Sequence, residues 1–157
     1  MAAWRDVVAA EPELAERVQR LFDARAHKTI ATLRRDGSPR ISGIECRFAD
    51  GDLWFGSMPN AVKALDLRRD PRFALHSGSA EPADWSGDAK VAGRAEEVTD
   101  PARRRAILEA NGWPTTESHL YRADLTEVVV TRIGEPADHL VIESWHEGRG
   151  ARRRERR

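Results

Sequence analysis

Two Asp-Gly dipeptides, Asp36-Gly37 and Asp50-Gly51, interrupt a stretch of short apolar-alternating segments. Asp-Gly accepts the positive-φ conformations of tight hairpin turns, whose twist matches that of paired strands. The chain from His27 to Gly56 therefore reads as three consecutive strands: one around Thr29–Leu33, a second over Pro39–Phe48 and a third over Leu53–Gly56. Turns this short join antiparallel neighbours, so an up-and-down meander is expected.

Helical periodicity flanks this meander. Leu14, Val18, Leu21 and Phe22 fall at helical spacing behind Pro12, and Trp4, Val7 and Val8 form a separate helical turn before them. Asn60 is placed to cap a helix from Ala61 to Arg69, with Val62, Leu65 and Leu67 inward, stopped by Asp70-Pro71. Arg72–Ser77 is extended, Gly78–Gly87 has loop composition, and Ala89–Val98 alternates again. Asp100-Pro101 opens a helix through Ala110 that Asn111-Gly112 ends, and Tyr121–Arg132 and His139–Trp145 complete the strands. Short antiparallel strands must hide their edges, and closure does so. The expectation is a mainly β, α+β chain: a six-stranded antiparallel barrel with two to three peripheral helices. Residues 1–148 make the single domain, and residues 149–157 an Arg-rich, disordered tail.

Composition narrows the function classes. Lys plus Arg and Asp plus Glu both number 26, so no overall field draws this chain to nucleic acid or anionic membranes. No apolar run approaches the ~20 residues of a membrane helix. One cysteine, Cys46, forms no internal disulfide, and the N-terminus lacks a signal-peptide layout, so a cytoplasmic location is expected. The five histidines show no paired spacing, so no metal is expected; glycine-rich phosphate loops and nucleophile-elbow motifs are absent as well. Cys46 shares a strand face with Ile44 and Phe48 and reads as a buried thiol. Glu45 and Arg47 share the opposite face, which is either exposed or turned to a cleft.

The stretch from Leu53 to Leu75 carries the most chemistry. Ser57 ends a strand, a tight loop passes through Pro59-Asn60, and Lys63 lies in the first turn of the following helix. Free helix-start N–H groups, a hydroxyl and an ammonium together can cradle a phosphate. The plain alternative is a solvated surface lysine and a strand-ending serine.

Four motifs, ATLRRDGSPR from Ala31, DGDLWFGS from Asp50, KALDLRRDPRFAL from Lys63 and DAKVAGRAEEV from Asp88, resemble the pyridoxamine 5′-phosphate oxidase-like split β-barrel superfamily. The resemblance spans Thr29 to Thr99. It implies a homodimer that binds FMN, coenzyme F-420 or, less often, haem at the subunit interface, acting as an oxidoreductase or a cofactor carrier. Lys63 matches the phosphate-binding lysine and Ser57 the hydroxyl residue at the third strand's end. Gly43 and Ile44 lie where the isoalloxazine ring is lined, Arg47 retains a cation, and Ser42 stands where the oxidases carry Arg. Ala61 and Val62 replace a Ser-Arg pair, which leans the cofactor towards F-420 over FMN. The segment from Trp145 to Arg149 lacks the substrate signature of the vitamin B6 enzyme. Trp145 itself either stacks on the cofactor or plugs the barrel end. His76, Lys90, Arg94 and Trp85 are further ligand-contact candidates, Arg68 and Arg69 read as a solvated helix face, and no catalytic acid or base is identified.

Overall fold

The structure, a computed structural model, describes all residues from Met1 to Arg157. Two helices open the chain, α1 (Trp4–Ala10) and α2 (Pro12–Asp23), followed by β1 (Lys28–Leu33), β2 (Pro39–Ile44), β3 (Cys46–Ala49) and β4 (Asp52–Ser57). A third helix, α3 (Val62–Arg69), leads into β5 (Arg72–His76) and β6 (Gly87–Glu97). Then come α4 (Pro101–Ala110), the long β7 (His119–Ile133), β8 (Leu140–His146) and β9 (Gly150–Arg156).

Both Asp-Gly turns form. Asp50 and Gly51 have φ of 54° and 76°, the two positive values of a type I′ turn, and Ala49 pairs with Asp52 across it. Gly37 has φ 84°, and the Arg34 N–H donates to Ser38 O at 2.9 Å.

The expected second strand breaks at Glu45, and that break organises the molecule. Its first half, β2, pairs with β1, whereas its second half, β3, pairs with β4. The sheet runs β2-β1-β5-β6-β7-β4-β3, so its two ends are halves of one bent segment joined through Glu45. All pairings are antiparallel. Counting β2–β3 as one strand gives the six-stranded barrel; β8 and β9 extend the sheet from the C-terminal half of β7, making nine strands in all. Four helices surround it, one more than the upper expectation, because Trp4–Ala10 is a full helix.

A correction concerns the tail. Residues 150–156 are not a disordered extension; they pair with β8 from His146↔Gly150 to Leu140↔Arg156. Every β9 side chain is exposed, so the composition of a solvated charge run is retained while the backbone is ordered. Main-chain pairing needs no apolar side chains, and β9 covers the edge that β8 would otherwise present.

One core joins helices and barrel. Val7, Val18 and Phe22 pack with Ile30, Phe55, Leu75, Tyr121 and Val128. A bulge at Ala92/Gly93 bends β6 around this core, and a Cβ at Gly93 would lie 1.9 Å from Asp124 O, so only glycine fits there.

Helix α3 is rotated relative to the sequence reading. Val62 and Leu65 are 51% and 55% exposed, while Ala64, Asp66 and Leu67 are buried. The cause is the Asp66 carboxylate, which accepts from Thr32 Oγ1 at 2.8 Å, Arg40 Nε at 2.7 Å and Arg69 Nη2 at 2.9 Å. These bonds turn the helix face carrying Asp66 onto β1 and β2. Asn60 is not the cap: it has φ 65°, and Ala61 occupies the cap position without a side-chain bond. Arg68 and Arg69 are not simply solvated either, since Arg68 pairs with Glu97 and Arg69 Nη2 donates to Leu33 O at 2.7 Å.

Burial raises the Asp66 carboxyl, but hydrogen bonds from Arg40, Thr32 and Arg69 outweigh it and hold the group below its ordinary value. A depressed folded-state value means that the stabilisation is full above the ordinary carboxylate range and is lost as pH falls through the folded value. Asp66→Ala should cost about 3 kcal/mol in denaturant unfolding at neutral pH, because two arginines lose their acceptor. The gap between variant and wild type should narrow below about pH 4.

Candidate functional site

A cleft of about 500 Å³ opens where the barrel is closed by the bent strand. Its floor is the segment Gly43–Arg47 and the end of β4, one rim is Lys63 on α3, and the other is the loop after α4 with Trp113 and the start of β7. That volume suits a small organic ligand or nucleotide-type cofactor.

Five sequence-predicted residues meet there: Lys63, Ser57, Arg47, Gly43 and Ile44. Ser42, Asn60 and Trp145 do not line it. Trp145 lies in the main core at 7% exposure. Ser42, alternating with Gly43, buries an Oγ that has no partner. Asn60 forms the turn ahead of α3, its left-handed backbone setting the helix start.

The Lys63 ammonium donates to Gly43 O and has no acidic partner. Partial burial pushes its pKa down, since the charge loses water and gains no counter-ion. Ser57 Oγ is buried with the Tyr121 hydroxyl as its polar neighbour, and the start of α3 has no side-chain cap. A buried hydroxyl and an ammonium without a counter-ion thus line one cleft, an arrangement that can hold an anion. Across the cleft, the Arg47 guanidinium lies 5.8 Å from the Trp113 ring centroid. Glu45 and Arg47 both line the cleft and are both exposed, so the two alternatives left open by the sequence coincide. Trp113 meets Trp54 edge-on at 6.5 Å, and Leu108 and Leu120 pack beneath, giving the cleft a dry aromatic wall.

The fold leaves other candidates outside. His76 Nδ1 accepts from Gly78 N–H at 3.0 Å, Trp85 Nε1 donates to Asp88 at 3.3 Å, and neither they nor Lys90 and Arg94 line the cleft. Sequence reasoning missed His119 and Trp113. The Trp113 contact depends on a long-range approach of the α4 loop and has no local signature. The His119 signal was its spacing from Tyr121, which puts both on one strand face; Ser57 lies directly opposite His119 in register. His119 Nδ1 is 2.7 Å from Glu97 Oε1, and Arg68 donates to both Glu97 oxygens at 3.1 and 3.2 Å. Burial opposes the Glu97 charge, yet the bonds from Arg68 and His119 keep its carboxyl below the ordinary value. Beside it the buried Tyr121 hydroxyl is pushed up to about 12 by burial and by the Glu97 charge, with the neighbouring Ser57 hydroxyl opposing the shift.

Cys46 is 6% exposed and burial pushes its thiol up to about 11. At pH 8 it should remain unreactive to a disulfide reagent in the native protein and react fully after unfolding; a prompt native reaction would contradict this placement.

The family model for pyridoxamine 5′-phosphate oxidase matches residues 14–134. Among solved structures, PhzG from Burkholderia lata 383, in complex with tetrahydrophenazine-1-carboxylic acid, is similar at 14% identity and TM-score 0.66, covering 100% of this chain and 97% of that one. General Stress Protein 26 from Bacillus anthracis is similar at 15% identity and TM-score 0.56, covering 73% and 91% of the respective chains. An F420 reductase is similar at 20% identity and TM-score 0.50, covering 69% and 92%. At these identities the similarity bears on the fold. No curated protein matches the chain significantly.

Proposed function

The chain belongs to the pyridoxamine 5′-phosphate oxidase family, and from that premise we propose that it is a flavin- or deazaflavin-dependent oxidoreductase acting on a small molecule. The observation that carries this reading is the pairing, in one cleft lining, of Lys63 without a counter-ion and the buried Ser57 hydroxyl. These residues, with the start of α3, suit the phosphate of FMN or F-420. Ile44, Gly43 and the Trp113 wall suit a planar ring. Such a cofactor, when bound, supplies hydride chemistry through its ring. The protein's part is to anchor the anion at Lys63, orient the ring against the bent strand and exclude water with Trp54 and Trp113.

F-420 is favoured over FMN because Ala61 and Val62 add no cation to the phosphate end, and a fold relative is an F420 reductase. The same sparse cation set supports a second reading, a carrier that binds cofactor without turnover, with haem as its remaining ligand class. A homodimer with the cofactor at the interface belongs to the proposal: Met58, Val62 and Leu65, on and beside the segment that carries Lys63, are exposed apolar residues suited to a second copy. Nucleic acid and membrane are not among the proposed partners. No helix is long and apolar enough to cross a membrane. A cytoplasmic location fits the single buried thiol.

Fluorescence titration with FMN and, separately, F-420 tests this reading. Wild type should bind one of them, and Lys63→Ala should bind about 10- to 100-fold more weakly, as expected for losing a charge-assisted hydrogen bond. Binding of neither, or an unchanged affinity in the variant, would overturn the assignment. Bound cofactor that no donor reduces and no acceptor reoxidises would favour the carrier.

A further inference from the structure

We propose that His119, held by Glu97 and Arg68, is the proton-exchanging group of the cleft, presenting Nε2 to an N–H or O–H of the bound ligand. The reading rests on the cleft being a ligand site, as proposed above, but not on which cofactor occupies it.

The argument begins with the ring's two nitrogens. Glu97 is held as a carboxylate by two hydrogen bonds from Arg68, and a carboxylate only accepts. The 2.7 Å contact therefore places a proton on Nδ1 and leaves the Nε2 lone pair as the reactive end of the neutral ring. Nε2 has no protein partner, whereas His76 and His139 direct both ring nitrogens to neighbouring groups. His119 lines the cleft with a side chain 17% exposed, so the ring is largely desolvated and its Nε2 is the end left free for a ligand there. Tyr121 stacks along the ring at 6.1 Å and Ser57 stands opposite, fixing its plane and position. An imidazole oriented by a carboxylate, with its far nitrogen free at a ligand cleft, has the arrangement of a general base and acid.

The proton balance is simple. The ligand's X–H bond breaks as the Nε2–H bond forms, and the resulting imidazolium faces the Glu97 carboxylate. In the reverse direction the same proton returns to X. The charged and titratable groups that surround the ring are Glu97 on β6, Arg68 on α3 acting through it, and Tyr121 on its own strand. Lys63, Arg47, Glu45 and His27 face the same cleft.

Two measurements on the full chain decide the proposal. In ¹⁵N-labelled protein, long-range proton–nitrogen correlation should find neutral His119 protonated on Nδ1; in Glu97→Ala the ring should lose this preference, a change that a packing role alone would not produce. Diethyl pyrocarbonate, read by peptide mass spectrometry, should modify His119 in the ligand-free wild type. Cofactor at about ten times its Kd should slow that modification about tenfold if it covers Nε2. A wild-type ring protonated on Nε2, or a His119 that stays unmodified while the exposed His27 reacts, would overturn the proposal whether or not the variant folds. If FMN or F-420 binds and leaves His119 equally reactive, the proposal falls while the cofactor reading stands. If neither binds, the cofactor reading falls, and tautomer and ligand-free reactivity still decide the role of His119.

Discussion

The bend at Glu45 is the constraint on which the remaining architecture depends. A single segment serves as both ends of the sheet, so β2 completes the ladder on β1 and β3 completes the ladder on β4. In an open sheet of the same strands the two end strands would lie apart; here they are consecutive halves of one segment, held together by covalent continuity. At the change of partner, Ile44 and Cys46 remain buried while Gly43, Glu45 and Arg47 are presented outward. The cleft therefore exists because the barrel closes at this point, and its floor is the closing segment itself.

Charge distribution then separates structure from site. The chain carries equal numbers of acids and bases, and most acids near α3 and β6 are already engaged. Asp66 gathers Thr32, Arg40 and Arg69, Glu97 gathers Arg68 and His119, and Glu96 gathers Arg103 and Arg122. Lys63 and Arg47 lie outside these pairings, and they face the cleft. A neutral molecule thus keeps local positive charge where an anion would bind. The Asp66 contacts matter to this arrangement because they fix the rotation of α3, and with it the direction in which Lys63 extends.

Glu97 links the two halves of the site. Its backbone lies at the end of β6, its carboxylate reaches Arg68 on α3 and His119 on β7, and so α3 and the imidazole share one acceptor. Lys63's helix and the imidazole wall of the cleft are thus tied to one carboxylate.

Local chemistry determined much of this protein before any tertiary contact. Asp36-Gly37 and Asp50-Gly51 specify turns by their own backbone preferences, the Leu14–Val18–Phe22 stripe specifies a helix needing a core, and the Ser57–Lys63 spacing after a strand brings both residues to one cleft. Those features were legible because each depends on residues within a few positions of one another. The break at Glu45, the rotation of α3 and the order of the Arg-rich β9 were not, although each concerns residues in plain view. A strand's partner change is set by which ladder lies alongside, Val62 and Leu65 lose the core only because Asp66 meets Arg40 and Thr32, and β9 is ordered by main-chain pairing that no side chain records. The placement of Trp145 in the core and of His119 at the cleft follows the same rule. Burial and hydrogen-bond partners are properties of residues far apart in the chain, and only the folded barrel brings them together.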